Sequence, residues 1–427
     1  MTDALGDAMD RLVAECFPAI AAIHAEPWRV IPEPGMDQGY LHIAMSRAIL
    51  SCRTLREATA AVTEDEALGP ALQPSSPMYL LAATGAGGRL QAEVLPLKLV
   101  LSAVLEILLC GERLELATMQ AGVAENLRRL RAGVAGEEFR AYIVFPFANL
   151  RLQSDATIET PWGELRAAHR LLADAFIDRA REVSTVLGMP IETRFVDEKS
   201  HRPNVESAQE YQRVASITSY SVTLGSDPTN PSSAIPLGWG GLSPLGLPGW
   251  GGEFRMPGRS IRDAPLSVTE INEIARWCGL LDDAPFGHVE VGLRRIVSAL
   301  AERLNAADAL TDAVIAWENL VEHRDQPTKS VLFGLQQLLA GTPAPFSKTR
   351  LNRLYEERSD VVHGEIVASA DLLTASRDAI SVGIYCFRSL FERHAELLNL
   401  SSEERCVRLG FSPAPPAHCP HCGEPIN

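Results

Sequence analysis

The chain is short of cations: 39 lysines and arginines stand against 54 aspartates and glutamates, a net charge of −15 at pH 7. A balance so acidic argues against a protein that coats nucleic acid through bulk electrostatics. Long apolar runs are missing too. The longest, Leu99 to Cys110, is interrupted by Ser102 and Glu106 and falls well short of the ~20 residues that a membrane helix needs, which predicts a buried helix and no membrane partner. Met1 to Asp10 carries aspartates and lacks the basic, apolar and small-residue order of an export signal, so a cytoplasmic location is expected. Cysteines are few, and Cys16, Cys52, Cys110, Cys278, Cys386 and Cys406 stand alone, as reduced, buried thiols do. There is no G-x-x-x-x-G-K-[ST] phosphate loop and no G-x-S-x-G elbow, and Gly85-Ala-Gly-Gly88 lacks the third spaced glycine of a dinucleotide fingerprint. His24-Ala-Glu26 offers the first half of a zinc deaminase pattern, but Cys419 follows His418 where that pattern needs proline.

What is present reads as a globular chain, 46% hydrophobic and 22% charged. Its 427 residues exceed the roughly 250 to 300 at which single cores stop growing, so two or more domains are expected. The charge is uneven, at −11 over residues 1–284, −3 over 285–400 and −1 over 401–427. The fold class is α+β and multidomain, a helical and α+β N-terminal region followed by an all-α helical bundle.

Residues 1–135 are mainly helical, with Leu12, Cys16, Ile20 and Ile23 at helical spacing, a break at Pro32 and Pro34, and a second helical stretch over 97–131. Residues 136–224 read as an α+β region and possible sensor. Strands are expected at Ala141–Phe147, at Ile158–Thr160 entering a Pro161-Trp-Gly163 turn, at Ile191–Val196 and at Val214–Leu224. Residues 225–265 form a linker or long loop, because Gly225 to Gly258 holds nine glycines and six prolines. Its Trp239, Leu242, Leu247 and Trp250 suit a loop packed on a domain or partner; a disordered spacer is the alternative. Ser267-Val-Thr-Glu270 is a capping box that opens a helix through Ile271, Ile274 and Trp277. Residues 266–400 are expected to be all helical, with five helices from Phe286 onward in an antiparallel bundle. Residues 401–427 form a tail.

The fourth of those five helices ends Tyr355-Glu-Glu-Arg-Ser-Asp-Val-Val-His-Gly364. Arginine offers a permanently charged planar fork for phosphate oxygens, and histidine is the side chain whose ordinary pKa lies nearest neutrality. RNA carries its own nucleophile in the 2′-hydroxyl. A base at His363 and a cation at Arg358 therefore suffice for strand cleavage without a metal, giving a 2′,3′-cyclic phosphate and a free 5′-hydroxyl. Five residues turn an ideal helix through ~500° and raise it ~7.5 Å, so Arg358 and His363 do not share a face. They converge either at a frayed helix end before a Gly364 cap or by the pairing of two copies.

This segment resembles the signature of the Apea-like branch of the HEPN superfamily, in which Arg is followed after four to six residues by His. Asp308 to Leu320 is similar to the family's second helix, with Glu318 at its acidic position. The likeness covers about residues 286–400. It implies a four- or five-helix bundle that forms a homodimer, bringing two Arg/His motifs into one cleft, and a metal-independent endoribonuclease of anti-phage defence, abortive-infection or toxin systems. It makes Arg358 and His363 catalytic, with Ser359, Asp360, Glu318 and Tyr355 supporting. RNA would be the substrate, and the N-terminal region would meet a phage or cellular trigger. The alternative is a non-catalytic module that binds RNA, nucleotide or protein as an adaptor.

Catalysis by these groups needs no cofactor. Cys419-Pro-His-Cys422-Gly423 has the shape of half a zinc knuckle, for which Cys406, His418, His421 or a second subunit would complete a structural zinc site. A metal-free tail is the other reading.

Overall fold

A computed structural model of the chain describes residues 3–25, 40–73, 91–153, 156–169, 172, 183–193, 205–242, 250–251, 264–364 and 369–412. It is 64% helical with a small antiparallel sheet, and the α+β expectation holds at that level. The described residues fall into two compact units. The first takes residues up to Ser216 together with 235–251 and Ala264–Leu266; the second takes Ile217–Ala234 and the chain from Ser267 onward. Residues 1–135 and 136–216 therefore share one unit.

Among the described residues the first unit opens with helices α1 (Ala4–Ala25), α2 (Tyr40–Leu50), α3 (Leu55–Glu64), α4 (Leu68–Ala71), α5 (Leu95–Leu109) and α6 (Leu116–Val134). The apolar run at Leu99 is α5, and it is buried over most of its length, as its composition predicts. The two polar residues that interrupt the run are paired: Glu106 takes Arg129 of α6 at 2.7 Å and a bond from Ser102, while burial still pushes the Glu106 carboxyl up. Among the described residues no helix is long and apolar enough to cross a membrane. At the end of α1 the His24 ring stacks on that of His169, 4.5 Å apart and nearly parallel; burial pushes His169 down to about 4. The expected break at Pro32 and Pro34 lies outside the described residues.

The sheet follows, with β1 (Phe139–Ala148), β2 (Thr157–Thr160), β3 (Gly163–Ala167) and β4 (Thr185–Thr193); β-branched and aromatic residues are concentrated in β1, with Phe139, Tyr142, Ile143, Val144, Phe145 and Phe147. The order β2-β3-β4-β1 is continued past β1 by strands from the glycine-rich segment. Tyr142 and Val144 of β1 and Val186 of β4 join the helical core on one face. Phe145, one residue out of phase and so on the other face, meets Tyr211 edge-on at 6.3 Å. Close packing depends on Gly188 in β4, where a Cβ would come within 2.8 Å of Leu109 on α5.

Two expectations fail here. Val214–Leu224 is not a strand but the second half of a helix, α7 (Val205–Gly225). Buried at every position from Val214 to Gly225 except the half-buried Ser216, it shows no clear period by which helix and strand could be told apart. The 225–265 segment is more than a loop. It contributes β5 (Ile235–Pro236), β6 (Trp239–Leu242) and β7 (Trp250–Gly251), and β6 pairs with β1 at Tyr142, Ile143 and Val144. Glycine weakens a strand through entropy, and here pairing with a covered central strand outweighs that cost. Leu247 lies outside the described residues.

The second unit is the expected bundle. Ser267 caps α8 (Val268–Asp283) with both halves of the capping box formed. Then come α9 (Glu290–Ala301), α10 (Ala306–Val321), α11 (Pro327–Leu339), α12 (Lys348–His363) and α13 (Ser369–Arg393). Helix α10 lies at the centre: Leu310, Ala313, Val314, Ala316, Trp317, Leu320 and Val321 are all fully buried, and Trp317 Nε1 donates to the Ala379 carbonyl of α13 at 3.1 Å. The tail expectation needs correction, since Ser402–Arg408 forms a further helix, α14, behind a second capping box at Ser401 and Glu404. Arg405 and Cys406 are fully buried.

Gly188→Ala is expected to lower the stability of the first unit by about 1–3 kcal/mol, because Leu109 must leave its rotamer to admit a methyl group. Urea denaturation followed by near-ultraviolet circular dichroism measures it, and an unchanged midpoint would mean that α5 does not pack on β4 at this distance.

Candidate active site

Helix α12 is built to present its carboxyl end. Ser347 caps its start by accepting from Arg350 N at 3.2 Å, worth about 1 kcal/mol. Gly364 closes it in the left-handed region at φ 81°, with its N–H on the Val361 carbonyl at 3.1 Å, the cap that the sequence predicts. A Cβ there would meet nothing within 4 Å, so the glycine is needed for its backbone alone. On the other side Arg350 pairs with Asp378 of α13 at 2.7 Å and Arg353 with Glu357 at 2.7 Å.

Leu351, Leu354, Tyr355 and Arg358 recur at helical spacing and form the inward stripe. The first two are fully buried. The next two meet Glu318 in the last turn of α10: the Tyr355 hydroxyl donates to Glu318 Oε1 at 2.9 Å, and Arg358 Nη2 lies 3.7 Å from the same oxygen. Glu318 is 18% exposed and Arg358 23%, so Glu318 is a working member of a contact between helices and not a solvated surface charge. Burial pushes the Tyr355 phenol up to about 12, reinforced by the Glu318 carboxylate.

Arg358 is held loosely for a half-buried cation. Its ion pair is long, and its Nε atom is buried with no hydrogen-bond partner. An unsatisfied buried donor costs about 1–3 kcal/mol. Neighbouring arginines differ. Arg388 donates to the Leu224 and Ser226 carbonyls at 2.5 Å each, and Arg393 to those of Ala340 and Leu338 at 2.5 and 2.6 Å.

His363 is exposed at the last helical position. Because α12 keeps its helical form through His363, the two side chains leave the axis about 140° apart. The frayed end expected before Gly364 is not seen, because α12 is helical through His363. Ser359 and Asp360 are half-buried on α12, the Asp360 carbonyl taking part in the Gly364 cap. The structure gathers Glu318, Tyr355 and Arg358, and leaves His363 apart from them.

Sequence reasoning missed two members of this cluster. Glu322, just beyond α10, has its carboxyl pushed up by burial and by Glu318, with Arg358 opposing; its place four residues after Glu318 was the available signal. Thr328 adds a hydrogen bond to the Tyr355 phenol, and no local pattern marks it. Of the proposed zinc ligands, Cys419, Cys422, His418 and His421 lie outside the described residues. Cys406 is buried with Sγ 3.6 Å from the Ser330 carbonyl, and burial pushes its thiol up to about 11, the setting of a packed thiol and not of a thiolate.

No family model matches the chain, no curated protein is significantly similar to it, and no solved structure matches it.

The Tyr355 phenol supplies a pH test. With its pKa raised above the ordinary value of roughly 10, it stabilises the fold at all lower pH, and that contribution disappears as pH rises from there toward about 12. Tyr355→Phe should therefore be less stable than wild type at pH 8, with the gap narrowing by pH 11. A gap independent of pH in chemical denaturation speaks against the Tyr355–Glu318 bond.

Proposed function

We propose that the chain is a metal-independent endoribonuclease of the HEPN type, acting as an anti-phage defence or toxin effector. The observation that carries the reading is the under-committed guanidinium of Arg358, oriented by Glu318 beside Tyr355, on the same short helix as an exposed imidazole. Where an arginine has a structural task its donors are engaged, as in Arg388 and Arg393; Arg358 keeps donors for phosphate oxygens.

In this reading the neutral imidazole of His363 takes the proton of a ribose 2′-hydroxyl, and the 2′ oxygen forms a bond to the adjacent phosphorus. Arg358 stabilises the charge on the pentacoordinate phosphate, the P–O5′ bond breaks, and the departing oxygen takes a proton from an imidazolium or from water. The divergence of the two side chains makes the working unit a homodimer, in which Arg358 of one copy faces His363 of the other. The first unit is the regulatory region that meets a cellular or phage trigger, and the protein works in the cytoplasm. A zinc on the Cys419/Cys422 pair would be structural and outside this chemistry.

Purified full-length protein with total tRNA in EDTA should give fragments ending in 2′,3′-cyclic phosphate and 5′-hydroxyl. Arg358→Ala and His363→Ala should each lower the rate at least ~10²-fold. Mixed after denaturation and refolding, the two variants should regain roughly a quarter of wild-type activity, because half the dimers carry one intact site. Equal cleavage by wild type and both variants would mark a contaminant and sink the proposal. RNA binding without cleavage, unaffected by His363→Ala, would make the chain an adaptor.

A further inference from the structure

Arg405 is a fully buried cation whose hydrogen bonds go to carbonyl oxygens. Nε donates to Leu320 O at 2.7 Å, Nη2 to Asn319 O at 2.7 Å, and Nη1 to Leu400 O. The placement along α10 is what gives this meaning. The last backbone bond of that helix runs from Glu322 N to Glu318 O at 3.0 Å. The following two carbonyls, which a helix end leaves without internal donors, are those that the guanidinium takes. A cation is also the favoured charge at a helix carboxyl end.

The rest of α14 reinforces the contact. Arg324, in the turn after α10, pairs with Glu403 at 2.6 Å. Cys406 Sγ donates to the Ser330 carbonyl, and Ser330 Oγ accepts from His323 N at 2.8 Å. The α10–α11 corner is thus tied to α14 at three points, and the residue before the first captured carbonyl is Asn319's neighbour Glu318.

We propose that Arg405 is a positioning residue for the Glu318–Tyr355–Arg358 cluster. Its planar fork locks the final turn of α10, which fixes the Glu318 carboxylate and through it the Tyr355 hydroxyl and the Arg358 guanidinium. Its bearing on catalysis rests on the ribonuclease reading; its bearing on the geometry of the cluster does not.

Arg405→Lys keeps the charge but cannot present a planar fork to three carbonyls. Arg405→Gln keeps amide donors without the charge and serves should the lysine variant fail to fold. Arg324→Gln is the control, since it removes the exposed ion pair of the same helix and leaves the carbonyl bonds intact. Each is checked for folding by circular dichroism. Carbon-13-labelled tyrosine, with the Tyr355 signal identified by its loss in Tyr355→Phe, then reports on the cluster without reference to activity.

The expected result is that the Tyr355 signal in a folded Arg405 variant moves toward its position in Glu318→Gln, whereas Arg324→Gln leaves it in place. The cleavage kcat falls at least about tenfold, and KM changes by less than about threefold. A folded Arg405 variant with the Tyr355 signal at its wild-type position overturns the proposal, as does a moved signal with unchanged kcat. If wild type does not cleave RNA, the ribonuclease reading fails by itself, and the tyrosine signal alone still decides whether Arg405 positions the cluster.

Discussion

Helix α10 has hardly any solvent side, and the carbonyl groups at its carboxyl end must find donors within the protein. Water is a common donor to such carbonyls at a helix end. Here Arg405 takes the Asn319 and Leu320 carbonyls from a helix some eighty residues further along the chain. Burying a guanidinium carries a desolvation cost, visible in an Arg405 pKa pushed down to about 10. The geometry offsets that cost, because charge-assisted bonds to carbonyls are among the stronger hydrogen bonds. Packing of α9, α11, α12 and α13 around α10 presupposes that this end is closed.

The same solution recurs across the second unit. Arg388 closes the end of α7 at Leu224 and Ser226, and Arg393 the end of α11 at Leu338 and Ala340. On α10, the carboxylate of Asp312 is enclosed by Arg295 at 2.7 Å and Arg303 at 2.6 Å. Beside these paired cations Arg358 differs, with one long ion pair and an unpartnered Nε.

The candidate cluster draws on three separate stretches of chain. Glu318 is delivered by the end of α10, Thr328 by the start of α11, and Tyr355 and Arg358 by the inward stripe of α12. Its rigidity comes from packing on each side: Leu351 and Leu354 seat α12, and the α14 contacts seat the corner after α10. His363 shares none of this support, being exposed at the last position of the helix.

The sequence by itself determined the features whose causes are local. The Ser267 capping box, the Gly364 stop, the stripes of α10 and α12, and the 140° divergence of Arg358 from His363 all follow from neighbours within a turn or two. The Ser401–Glu404 box was equally legible and marks the start of α14. Tertiary structure decided the remainder. Val214–Leu224 is helical although, buried at all but one position, it carries no amphipathic period. Trp239–Leu242 becomes a strand because β1 offers an edge to it. Arg405 reaches α10, and Glu318 meets Tyr355, only because folding brings distant segments together, and a long-range contact of this kind leaves no periodic trace in the residues that make it.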